Sequence, residues 1–177
     1  LLADFARSGS LLDEFQQAFA DVFGDREAWE KLSRNDQVAF MEYFLFDRKV
    51  QRYGDTPART FARSALKLPD ELRSKFSSIA NSRVDYYRVL ESNEKGVKLE
   101  LVGIGEKPDI PDRLIGGVLN QGEVVLARLL RWGDEEHLST VINRHKVEDH
   151  KEFADRIAQK RKEVDDKTWR ETLSQLP

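Results

Sequence analysis

The chain has 177 residues, 40% of them hydrophobic and 34% charged, which supports a real core, suits one or two small domains and excludes bulk disorder. Its net charge of -3 gives no global pull toward nucleic acid or an anionic membrane, and the absence of cysteine excludes disulfides and thiolate zinc sites. No apolar run approaches the roughly 20 residues that span a bilayer, and no secretory leader is visible, so a cytoplasmic location without membrane contact is expected.

Charge is distributed unevenly. Residues 1–46 hold 4 basic and 9 acidic side chains, whereas residues 47–75 hold 8 basic and 4 acidic ones. The remaining segments are balanced. The basic segment either faces the acidic one or solvent, or forms a functional surface.

Residues 1–82 read as helical. Ser10 with Asp13 resembles an N-cap with an acidic first turn, and Leu11, Leu12, Phe15, Ala18, Phe19 and Val22 follow at helical spacing up to a stop at Gly24. Asp25 could cap a short helix carrying Trp29 and Leu32. Ser33 with Asp36 opens a helix through Val38, Met41, Phe44 and Leu45. Thr56-Pro57 pairs a cap with a proline suited to the first helical position, leading into Phe61, Ala62, Ala65 and Leu66. Pro69-Asp70-Glu71 opens the next helix, with Leu72, Phe76 and Ile79 on one face.

The period then changes to two. Val84 to Glu91 alternates, Asn93 to Gly96 is a turn, and Val97, Leu99 and Leu101 alternate with Lys98 and Glu100, which predicts a hairpin. Residues 103–122 hold five of the ten glycines and read as a loop, with a short strand at Leu114-Ile115. Val124–Trp132 and Leu138–Ile142 read as two strands joined at Gly133, apolar on both faces and therefore expected to be the central hairpin of the sheet, covered by helix on one side. Residues 147–174 return to helix. Phe153, Ile157 and Val164 share a face, but Lys160 to Glu163 are all charged, so this helix is expected to be largely solvated.

No motif specifies a reaction. His145 and His150 are five apart, off the spacing that places two ligands on one helix face. Gly103-Ile104-Gly105 follows a strand, but Pro108 stands where a dinucleotide fingerprint needs glycine, and no helix start follows to meet a phosphate. The serines lie outside any nucleophile elbow. Asp134-Glu135-Glu136 sits in a turn, where no apolar pocket raises a carboxyl pKa. No catalytic residue, metal ligand or cofactor is therefore assigned.

Three features remain as binding candidates. Arg128 shares a strand face with Val124, Leu126, Leu130 and Trp132, so it is either a sheet-face ion pair or a ligand anchor. Phe40 to Phe46, FMEYFLF, runs into Arg48, Lys49, Arg52 and Tyr53, with Arg59 and Arg63 beyond. Aromatics beside basic groups can clamp single-stranded nucleic acid, although helical spacing favours a core role where the helix docks on the sheet. Tyr86-Tyr87 could offer a stacking platform on a strand, without the surrounding consensus of sheet-based RNA binders.

Tyr43-Phe44-Leu45-Phe46-Asp47-Arg48, then Thr56-Pro57, Phe61, the Pro69 helix, Tyr86-Tyr87-Arg88-Val89 and Gly122 to Leu129, in this order, resemble the body region of bacterial proteins that carry a SEC-C motif, the zinc module of the SecA C-terminus. The resemblance spans about residues 38–142. It implies a cytosolic accessory or adaptor role. The zinc module needs Cys and His ligands, and this chain has no Cys, so no functional residue carries over.

The expected fold is α+β. A helical part, 1–82, packs on a small bent antiparallel sheet or barrel, 83–145, and a charged helix, 146–177, trails outward; the three are read as one folded body. The expected function is a non-catalytic bacterial accessory or adaptor protein that binds another protein or itself. The alternative is nucleic-acid binding through segment 47–75.

Overall fold

The structure is a computed structural model, and it describes residues 1–24, 28–64, 67–111 and 115–163. The chain divides at Asn81/Ser82 into two compact units, Leu1–Asn81 and Ser82–Pro177. The first is helical and the second combines an antiparallel sheet with a helix, so the α+β class expected from the sequence holds.

The helical unit contains α1 (Leu2–Ala6), α2 (Leu12–Phe23), α3 (Arg34–Phe46), α4 (Pro57–Ser64) and α5 (Asp70–Ile79). Local chemistry sets most of their ends. Gly24 terminates α2 in the left-handed conformation, with its N–H bonded to the Ala20 carbonyl at 2.8 Å. The Ser33 hydroxyl accepts the Asp36 N–H at 3.2 Å and starts α3. Thr56 Oγ1 accepts the Arg59 N–H at 3.4 Å, and Pro57 takes the first position of α4. Ser10 does not start α2 as expected: it lies in a 3₁₀ turn, Gly9–Leu11, and α2 begins at Leu12. Asp25, Ala65 and Leu66 lie outside the described residues.

Aromatic rings fill this unit. The Phe15 ring centre lies 5.3 Å from that of Phe40, 5.1 Å from Phe44 and 5.6 Å from Trp29, all edge-to-face, and Phe19 meets Phe40 at 5.1 Å. The FMEYFLF segment thus supplies core. Its ring partners include Phe15 and Phe19 on α2 and Trp29. Such pairs add about 0.5–1.5 kcal/mol each beyond burial.

The second unit is built on β1 (Arg83–Asn93), β2 (Gly96–Leu101), β3 (Asp109–Ile110), β4 (Val124–Trp132) and β5 (Glu135–His145), ordered β3-β2-β1-β4-β5 and antiparallel throughout. The sheet curls into a half-barrel, and β3 approaches β5. Tyr87, Val89, Leu99, Leu101, Val125, Ala127 and Leu129 form the inner core. The predicted hairpin, β1–β2, is present, with Asn93 opposite Gly96.

Three expectations need correction here. The strand pair β4–β5 is not central: β1 is, and β5 is a terminal strand. The expected helix cover on one side is present: α6 covers the outer face of β4. The short strand in the glycine-rich connection is Asp109–Ile110, set by pairing with Val97 and Lys98, while Ile115 is a buried turn residue and Leu114 lies outside the described residues. The terminal helix, α6 (His150–Glu163), does not trail outward. Phe153, Ala154 and Ile157 pack on Tyr86, Val102, Val124 and Leu126, and Arg161 is bonded to Asp85. Val164 lies outside the described residues.

Candidate functional site

The seven binding candidates separate into three groups. Arg128 is the most enclosed, at 3% exposure, on the outer face of β4 opposite Val84. Its Nη1 donates to the Ser82 hydroxyl at 3.3 Å. Between the pairs Ala127–Ile142 and Leu129–Leu138, β5 spends three residues, Ser139 to Val141, where β4 spends only Arg128. The strand thus bulges at this arginine. A guanidinium this buried serves the sheet and is not presented to a partner.

Arg48, Arg59 and Arg63 form the second group and act within the helical unit. Arg48 Nη1 lies 2.9 Å from Asp21 Oδ2 on α2 and donates a long bond, 3.5 Å, to the Tyr43 hydroxyl on α3. That hydroxyl and Asp21 raise the Arg48 pKa against the opposing effect of burial. Arg63 Nη1 lies 2.8 Å from Asp55 Oδ2, and Arg59 Nη1 lies 3.8 Å from Asp55 Oδ1. Asp55 Oδ1 also accepts the Thr56 N–H at 2.8 Å.

These contacts fasten the loop between α3 and α4. Val50 is fully buried and acts as its plug. The Val50 N–H donates to the Asp55 carbonyl at 3.0 Å, closing an antiparallel bridge. The Val50 carbonyl accepts both the Tyr53 N–H at 3.1 Å and the Gly54 N–H at 2.9 Å. Gly54 sits at φ +65°, a conformation in which a side chain is strained, so the tight return depends on glycine. The loop is therefore held to α2, α3 and α4 together.

Lys49, Arg52 and Tyr53 are the third group and occupy the tip of this fastened loop. Lys49 and Arg52 are exposed, and among the described residues no carboxylate pairs with either. Tyr53 is 37% exposed, and the Arg52 guanidinium carbon lies 5.8 Å from its ring centre, within cation–π range. The tip is a small basic and aromatic knob on a rigid base.

The remaining features serve packing. Tyr86 lies under α6, and Tyr87, with no exposed surface, lies in the inner core, so neither ring is a stacking platform. Burial pushes the Tyr87 phenol up to about 12. Gly103 is explained by close approach: a Cβ there would lie 3.0 Å from the Ala158 backbone nitrogen of α6. Among the described residues no three His, Asp or Glu side chains gather where a metal could bind, and no helix is long and apolar enough to cross a membrane. A cleft of about 550 Å³ opens beside the start of α6, but Arg88 in its wall is bonded to Glu100, and Asp149 already accepts the Lys151 and Glu152 N–H groups at 2.9 Å.

Sequence reading grouped all five basic residues of this loop and helix as one surface. It missed Asp21, which is distant in sequence, and passed over Asp55, whose spacing of four and eight to Arg59 and Arg63 was a readable signal. It also missed Asp85, 2% exposed near the start of β1, and its partner Arg161.

No protein-family model, no curated protein sequence and no solved structure matches this chain.

Proposed function

We propose that this protein is a non-catalytic accessory or adaptor that acts by binding another protein, with the tip Lys49, Arg52 and Tyr53 as its contact point. The observation that carries this reading is the contrast between a loop fastened to three helices and a tip left outward. Tyr and Arg supply contact area at low entropic cost, and a pre-set loop avoids the cost of ordering on binding. The resemblance to the body region of SEC-C-motif proteins supports the same accessory role and a bacterial, cytoplasmic setting.

Nucleic-acid binding by segment 47–75 is the weaker reading, because Asp21 and Asp55 already neutralise three of the cations it needs. Two tip cations would give a single-strand salt slope of only about -1.4, far below that of a dedicated binder.

The test is site-specific photocrosslinking in the native cell. A benzophenone side chain at Tyr53 is expected to trap a discrete protein, while one at Ile104, more exposed and in the sheet unit, does not. No adduct at position 53, or adducts that nuclease removes, would count against the proposal.

A further inference from the structure

The tip's chemistry says what kind of partner it takes. This inference rests on the protein-binding reading above and deepens it.

Lys49 and Arg52 carry two positive charges at the loop tip, and the two carboxylates that fasten the loop, Asp55 and Asp21, are engaged elsewhere. Asp55 is held by Arg59, Arg63 and the Thr56 N–H, and Asp21 is held by Arg48. Asp55 has both oxygens committed to the base of the loop, and Asp21 divides its two between Arg48 and Gln17. Neutralising the tip with Asp21 or Asp55 would mean breaking contacts that shape the loop. The guanidinium of Arg52 lies against the Tyr53 ring, which limits its rotation and leaves its planar fork of donors to meet a carboxylate bidentately. The fixed backbone below, with Val50 buried and Gly54 in the left-handed turn, holds the two cations as a unit.

We infer that the 49–53 tip docks an acidic, Asp/Glu-rich segment of a partner protein, with Arg52 gripping a carboxylate, Lys49 adding a second charge contact and the Tyr53 ring packing on the segment's aliphatic stems. Nucleic acid is disfavoured because the tip offers a single ring and two cations, too few to stack successive bases and track a backbone.

Fluorescence anisotropy on the full chain tests this with three labelled probes: an alternating Asp/Glu peptide, a Gly/Ser peptide of equal length and a single-stranded DNA oligonucleotide. The acidic peptide is expected to bind at low salt, and the Gly/Ser peptide is not. The double variant Lys49→Glu/Arg52→Glu is expected to lose at least about tenfold in affinity with an unchanged circular-dichroism spectrum, because both sites are exposed. Arg52→Lys, which keeps the charge and loses the planar fork, is expected to fall between wild type and the double variant. Equal binding of the acidic and Gly/Ser peptides overturns the inference, as does a double variant that binds like wild type. DNA bound more tightly than the acidic peptide also overturns it, in favour of the nucleic-acid reading. Discrete protein crosslinks at position 53 without acidic-peptide binding would overturn the partner class while leaving the adaptor reading in place.

Discussion

Two aspartates show how differently one residue type works in this chain. Asp55 is partly exposed at the base of the loop, where each ion pair contributes at most about 1 kcal/mol and the value lies in fixing geometry. Asp85 is buried in β1 against Arg161, and burial raises its pKa above the ordinary 3.8 despite the opposing pull of that arginine. A carboxyl raised in this way adds stability at pH values below its unfolded pKa and loses that contribution as pH climbs through the folded value. Asp85→Asn removes the titration. Relative to the variant, wild type is therefore expected to lose urea-unfolding midpoint as pH rises from about 4 toward neutrality. Midpoints that run parallel across this range would show that Asp85 does not titrate as described. Removing the other partner leaves a buried carboxyl uncompensated, so Arg161→Ala is expected to cost about 3 kcal/mol at neutral pH.

Elements were legible where a local signal decides them. Gly24, Ser33, Thr56-Pro57 and the Asn93–Gly96 turn each work through neighbours within four residues, and each marks a boundary seen in the structure. Helix α6 was misjudged because its apolar face is narrow and its polar anchor, Asp85, lies 76 positions away in sequence. The place of β4–β5 was misjudged for a related reason. A strand apolar on both faces was rightly read as covered by helix on one side, but that cover does not fix strand order, and β1 takes the centre by pairing with both β2 and β4. Docking of that helix depends on Ile157 and on the close pass of Ala158 over Gly103. Ile157→Ala is expected to cost about 2–4 kcal/mol and to speed amide exchange across 150–163. Gly103→Ala combines a left-handed backbone with a 3.0 Å contact and is expected to loosen the same helix. Unchanged exchange in both variants would mean that α6 is held by other contacts.

At the scale of the molecule, the opposed charge of residues 1–46 and 47–75 was visible in the sequence, but its meaning was not. The structure resolves part of it into the Asp21–Arg48 contact, a pairing between α2 and the loop after α3 that no local spacing encodes. Within the loop itself, the carboxylates at its base leave two cations, Lys49 and Arg52, beside one ring on a fastened turn. The most direct measurement is an amide chemical-shift titration of the full chain with the alternating Asp/Glu peptide. The largest shifts are expected at Lys49 to Gly54 and are expected to vanish in Lys49→Glu/Arg52→Glu. Largest shifts among residues 82–163, or shifts that survive the double substitution, would contradict the account.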